Sequence, residues 1–213
     1  QTMRYLPQLG AVEHAKKAAE LAVEIGDRST ENRARAVAGQ VYVNHPLGAD
    51  ALAILEPAAA TLGEDEPDAG PVFSELARIY MMLDRDEEAV TMAERALRAA
   101  GPARDTDVVV NAMVTRGSAI LGPTSGRFDE AEATMRGAIT LADRAGHISA
   151  ALRVRNNLIS AVIGDAPLGT LIPIWDESIE HALRSGMAGC AAQHLIVRAI
   201  SAASTAGRET LRA

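Results

Sequence analysis

Apolar residues recur along the chain with a helical period, and this helical pattern itself returns about every 40 residues. Five small or apolar residues mark the returns, at intervals of 40, 38, 42 and 40 residues: Ala11, Ala51, Ala89, Ala131 and Leu171. Each is followed by small or apolar residues four and seven positions later, which places all three on one face of a helix. We predict a helix at each point and name these five the B helices.

The segments between the B helices have a helical pattern of their own. They predict a second set, the A helices, at residues 31–44, 70–83, 108–121, 148–163 and 188–205. Glycines stand where the B helices are expected to stop. These glycines are Gly26, Gly63, Gly101, Gly146 and Gly186. The chain is therefore predicted to be all-α, with A and B helices alternating.

Residues 70–103 contain the most complete form of a known repeat. The residues that form it are Phe73, Leu76, Ala77, Tyr80, Ala89, Ala93, Ala96 and Pro102. Their order resembles the tetratricopeptide repeat, a helix–turn–helix unit with an aromatic residue, Leu-Gly, Tyr, Ala, Phe, Ala and Pro. Ala77 replaces the usual Gly and Ala93 the usual Phe. Looser versions of the pattern occupy residues 32–66, 110–145 and 150–186.

The resemblance implies one solenoid domain over residues 1–213, a right-handed α–α superhelix of about five helix pairs. The expected repeats are 1–27 (partial), 28–66, 67–104, 105–146, 147–187 and 188–213 (partial). The period is longer than the usual 34 residues. In this respect the chain is similar to the sensor regions of large bacterial signalling and transcriptional regulators. The resemblance thus implies a protein- or peptide-binding scaffold within such a regulator.

Composition narrows the partners and the compartment. The net charge is −7 and no basic cluster is present, which argues against direct nucleic-acid binding and against polybasic attachment to membranes. Aromatic residues make up only 3% of a chain that is 48% hydrophobic, a balance that favours closely packed helices over a β-sandwich. A single cysteine, Cys190, excludes an intrachain disulfide and favours a reducing cytoplasm.

The sequence carries no pattern typical of an enzyme. The five histidines form no H-x-x-x-H pair, so a helical zinc site is not expected. The glycine-rich segment 122–126 lacks the G-K-[ST] ending of a phosphate-binding loop. We therefore predict a non-enzymatic protein with no cofactor and no catalytic or metal-binding residues.

Polar residues of the A helices are the best functional candidates. In tetratricopeptide superhelices the A helices line a concave groove, and Arg and Asn side chains can bind carboxylates and peptide backbone. The resemblance places nine residues in this groove: Arg33, Gln40, Asn44, Arg78, Asn111, Ser118, Arg153, Asn156 and Ser160. An ordinary solvated helix face is the alternative interpretation of the same residues.

Two further expectations concern ligand and assembly. A receptor whose groove closes on a small effector or signal peptide, within a transcriptional regulator, is the alternative function. The last A helix, at 188–205, has no complete B helix after it, although one is predicted to begin at Gly207. Its Leu195, Ile196 and Ile200 would then be exposed. We expect the chain to be a piece of a longer protein that self-associates through such ends.

Overall fold

The computed structural model describes residues 6–43, 48–103, 105–121, 127–162 and 168–212. These residues form ten α-helices and no strand. The helices are α1 Leu6–Ile25, α2 Arg28–Val43, α3 Gly48–Thr61, α4 Ala69–Met82, α5 Asp86–Ala103, α6 Thr106–Ile120, α7 Phe128–Ala145, α8 Ile148–Val162, α9 Leu168–Arg184 and α10 Ala188–Arg212. The all-α prediction is confirmed. The predicted B helices are the odd-numbered helices, and the A helices are the even-numbered ones.

Two predicted helix ends are wrong. Gly101 was expected to stop its helix, but α5 continues to Ala103 and Gly101 does not adopt a positive φ. Gly207 was expected to precede a new helix, but α10 runs without a break from Ala188 to Arg212. Glycine is only about 1 kcal/mol less favourable than alanine inside a helix. In alanine-rich surroundings this penalty does not end the helix.

The expected glycine stops are seen at three other turns. Gly26, Gly146 and Gly186 have φ values of 74°, 72° and 71°, a left-handed conformation that costs a residue with a Cβ more than it costs glycine. In all three cases the next helix begins two residues after the glycine. The three junctions therefore give a common register for α2, α8 and α10.

The helices group into two compact units, Gln1–Gly126 and Arg127–Ala213. In the first unit each of the helices α1 to α6 packs against the next one, and α4 also packs against both α2 and α6. Helix α4 is consequently central, and ten of its fourteen residues are buried. The odd helices approach it closely because their inner faces carry small side chains. In α5 the inner face consists of Ala89, Ala93, Ala96 and Ala100, each at most 2% exposed.

Arg95 connects three helices of the first unit. From α5 its guanidinium carbon lies 3.9 Å from the centroid of the Phe73 ring in α4, a cation–π contact. The same guanidinium donates hydrogen bonds to the carbonyl oxygens of Ala59 and Leu62, at 3.1 and 2.8 Å. These carbonyls lie at the C-terminal end of α3, where a cation is favourable for the helix dipole.

Tyr80 makes a second connection across the first unit, and it predicts a high-pH titration. The Tyr80 hydroxyl donates to a Glu56 carboxylate oxygen at 2.8 Å. Burial, and then this hydrogen bond, raise the pKa of Tyr80 to about 12. An unfolded tyrosine titrates near pH 10, so this contribution to stability is intact below about pH 10 and is lost as the pH rises to about 12.

We expect phenolate absorbance to show a tyrosine that titrates near pH 12 in the wild-type chain and is missing in Tyr80→Phe. If the two titration curves coincide above about pH 11, the hydrogen bond to Glu56 and the burial of the ring are not as described.

In the second unit, α7, α8, α9 and α10 pack in order, each against the next. Helix α7 again presents a narrow line of buried residues, Ala131, Met135, Ala138 and Ala142. Trp175 of α9 is 1% exposed, which fits the sequence position where a tetratricopeptide repeat has a core phenylalanine. Arg155 of α8 is also buried, and its guanidinium binds both carboxylate oxygens of Asp143 in α7, at 3.1 and 2.7 Å.

Candidate binding surface

The open side of α4 is narrow and polar. Successive residues of a helix are separated by about 100°, which places Arg78 roughly 140–160° away from Phe73 and Tyr80. Those two aromatic side chains contact Arg95 of α5 and Glu56 of α3, so Arg78 lies on the side away from the odd helices. Arg78 is half-buried, whereas Ser74 and Glu75, one turn earlier, are 3% and 8% exposed.

The neighbouring even helices continue this polar surface. Helix α2 exposes Arg33, Val37 and Gln40, which are spaced four and three residues apart on one face. Helix α6 presents Asn111 and Ser118, both half-buried, with the buried Thr115 between them. Because α4 packs against both α2 and α6, we treat these side chains as one surface. The polar surface comprises Arg33, Val37, Gln40, Ser74, Glu75, Arg78, Asn111, Thr115 and Ser118.

The arginines of the polar surface have carboxylates beside them. Arg33 Nε lies 3.6 Å from Asp68 Oδ2, and Arg78 Nη1 lies 3.8 Å from Glu75 Oε2. The Asp68 carboxylate also accepts a hydrogen bond from the Ser29 hydroxyl. These neighbours offset the positive charge of both arginines, so the surface is polar and mixed in charge rather than basic.

A network at the start of α2 holds Arg33 in place. Asn32 is 1% exposed and its side-chain amide donates to the carbonyl oxygen of Pro67 at 3.0 Å. Glu31, also buried, binds Arg35 at 2.7 Å and Arg28 at 3.4 Å. These bonds fix the first turns of α2 against the segment that leads into α4. The buried positions of Glu31 and Asn32 were not foreseen from the sequence.

In the second unit the candidates lie on α8. Arg153 and Asn156 are both half-buried. In the register given by the left-handed glycines, Arg153 stands seven residues after Gly146, as Arg33 stands seven residues after Gly26. The two units thus place an arginine at the same point of an even helix. Asn44 and the side chain of Ser160 lie outside the described residues.

Two cavities lie away from the polar surface. One of about 290 Å³ is formed by α1, α2 and α3, with Ala15, Ala19, Ala34, Ala38 and Pro57 among its lining residues. The other, of about 250 Å³, is acidic and lies along residues 64–71, with Ala99, Ala100, Asp105 and Val108. Neither of the two is lined by a candidate residue from the sequence. Geometry therefore does not combine the candidates with an enclosed small-molecule pocket at these places.

Searches for metal sites and membrane spans give two separate findings. Within the described ranges, no group of three or more His, Cys, Asp or Glu side chains is arranged to hold a metal ion. None of the helices, over the residues that the structure describes, has both the length and the apolar character needed to cross a membrane.

Comparison with known proteins returns no relative. No protein-family model matches the chain, and a search of curated proteins finds no significant similarity. The resemblance to tetratricopeptide repeats therefore depends on the residue pattern and on the packing of the helices.

Proposed function

We propose that the chain is a tetratricopeptide-like solenoid that binds an extended peptide segment of a partner protein on the polar surface of α2, α4 and α6. In this proposal it serves as the sensor or assembly module of a larger regulatory protein. The observation that carries the proposal is the adjacency of three even helices, each of which presents polar side chains on the face not covered by odd helices. Adjacent repeats with aligned faces form the extended surfaces that solenoids use for binding.

The chemistry of the polar surface suits a peptide main chain. Peptide groups offer one donor and one acceptor per residue, and Gln40, Asn111 and Ser118 can satisfy both. Ser74 Oγ is buried and, within the described part of the chain, has no hydrogen-bond partner. Buried polar groups usually have partners, so this hydroxyl is available to a ligand that enters between the helices. Val37 adds an exposed apolar contact at the edge of the surface.

Peptide selection tests this function. A phage-displayed library of random peptides is selected on the immobilised chain, and recovered peptides are labelled for fluorescence anisotropy. We expect Arg78→Ala and Asn111→Ala each to weaken binding by about tenfold, corresponding to about 1.4 kcal/mol. The matched control is Arg98→Ala, which removes an exposed arginine from the odd helix α5 of the same unit. Its dissociation constant should stay within about twofold of wild type.

Failure of this test takes two forms. If repeated selection recovers no peptide that binds, the chain is not a peptide receptor. If recovered peptides bind the Arg78 and Asn111 variants as tightly as wild type, while circular dichroism shows both variants folded, the peptide site lies elsewhere.

A further inference from the structure

Helix α10 exposes its most apolar face. The buried Ala191 and His194 lie on the opposite side of the helix, so the exposed face points away from the packed one. Leu195, Ile196 and Ile200 are 48%, 60% and 61% exposed. Three exposed alanines extend this face along the helix, and together the six residues form the α10 face: Ala192, Leu195, Ile196, Ala199, Ile200 and Ala203.

Equivalent positions in other even helices are covered. Counted from the left-handed glycines, Ala192 corresponds to Asn32 in α2 and Leu152 in α8, which are 1% and 4% exposed. Likewise, Ala199 corresponds to Gly39 and Ile159, both of which are buried.

In α2 the covering group at this position is known. A Cβ added to Gly39 would lie 2.5 Å from Leu55 Cδ1 of α3. The α10 face is thus the face on which an even helix receives the odd helix that follows it.

Helix α1 lacks the opposite half of such a pair. The positions equivalent to Ala11 in α3, α5, α7 and α9 are at most 2% exposed, and those equivalent to Ala18 are at most 1% exposed. These residues are Ala51, Ala89, Ala131 and Leu171, and then Ala58, Ala96, Ala138 and Ser178. In α1, however, Ala11 is exposed and Ala18 is half-buried. Both alanines define the α1 face, which an even helix preceding α1 would cover.

We infer that the α10 face of one copy packs against the α1 face of a second copy, as an even helix packs against the next odd helix within the chain. The chemistry is complementary in the same sense as inside the first unit. There α4 supplies large side chains and α5 supplies alanines; here α10 supplies leucine and isoleucine, and α1 supplies Ala11 and Ala18. Two different surfaces meet, so the contact is heterologous and each copy retains one free face of each kind. This inference does not depend on the proposed peptide site.

Complementation between two variants tests the pairing. Ile196→Glu blocks the α10 face and Ala11→Glu blocks the α1 face, and both positions are exposed, so the variants should fold as wild type. The control is Val23→Glu, which places the same charge at a 54% exposed position of α1, about 140° around the helix from Ala18. Sedimentation velocity is measured from low micromolar to near-millimolar concentration, with circular dichroism to confirm folding.

We expect the mass of wild type and Val23→Glu to rise with concentration, and association of either blocked variant alone to weaken at least tenfold. An equimolar mixture of the two blocked variants should form dimers and nothing larger, because one intact pair of faces remains. Ile200→Glu is a second variant of the α10 face should Ile196→Glu not fold. A wild-type chain that stays monomeric, an Ala11→Glu variant that still associates, or a mixture that does not dimerise would each overturn the inference.

Discussion

Replacement of Phe73 by alanine is expected to lower the free energy of unfolding of the first unit by about 3–5 kcal/mol. The ring is fully buried in the central helix α4, so its removal leaves a cavity that the surrounding helices can fill only in part. The change also deletes the partner of the Arg95 guanidinium, which lies 3.9 Å from the ring centroid. A domain is typically stable by only about 5–15 kcal/mol, and this single change removes a large share of that.

Urea unfolding followed by circular dichroism measures this loss, with two companion variants. Phe73→Leu keeps most of the volume and should cost less than about half as much as Phe73→Ala. Met82→Ala truncates an exposed residue of the same helix and should change stability by about 0.5 kcal/mol or less. If Phe73→Ala proves no more harmful than Met82→Ala, Phe73 does not occupy the centre of the packed unit.

The same variant links the core to the proposed binding surface. Phe73 faces the odd helices and Arg78 faces the opposite side of α4, so packing of the ring sets the orientation of the polar side chains. A binding surface on a rigid helix depends on such support from behind. Phe73→Leu should therefore weaken peptide binding less than Arg78→Ala does, since it leaves α4 in place.

Periodicity in the sequence predicted the helices well because packing here follows one simple rule. Each odd helix buries a line of small residues four and three positions apart, such as Ala89, Ala93 and Ala96, and this line is legible without a structure. Left-handed glycines fix the ends of three helices for a reason that is local to the backbone. Where glycine remained helical, as at Gly101, the outcome depended on surroundings that the local sequence does not reveal.

The candidate surface was predictable only in part. Arg33 and Arg153 occupy equivalent points of the repeat, so the pattern could place both on an even helix. The carboxylates near Arg33 and Arg78 were harder to foresee, because Asp68 reaches Arg33 from a segment 35 residues away. Glu31 and Asn32 were missed because polar residues in the first turn of a helix are ordinarily solvated.

Arg155 was missed although the sequence contains a usable signal. It stands between Leu152 and Ile159 at positions three and seven of an otherwise apolar face, and all three side chains are buried. A charged residue within an apolar line at helical spacing indicates either a wrong helix phase or a buried ion pair. The structure shows the second, with Asp143 as the partner.

Removal of Asp143 should destabilise the second unit far more than removal of Arg155. Asp143→Ala leaves the Arg155 guanidinium buried without its carboxylate, because the Arg155 side chain is only 6% exposed. Loss of one partner of a fully buried pair costs about 3–5 kcal/mol. Asp143 is 37% exposed, so solvent screens part of this interaction and we expect a loss of about 2 kcal/mol.

Arg155→Met removes the buried charge and keeps an apolar chain of similar length. Since the desolvation of the guanidinium is also removed, we expect this variant to lose about 1 kcal/mol or less. The double variant should resemble Arg155→Met alone, because Asp143 has no partner left to lose. The control is Glu180→Ala, which breaks an exposed pair with Arg184 in the same unit and should cost about 0.5 kcal/mol or less.

Urea unfolding of the four variants gives a double-mutant cycle for the pair. A strongly positive coupling, in which Arg155→Met rescues Asp143→Ala, is the expected result. If the two single changes instead cost the same and their effects add in the double variant, then Arg155 reaches water when Asp143 is removed. In that case the core of the second unit is more open around α7 and α8 than its packing indicates.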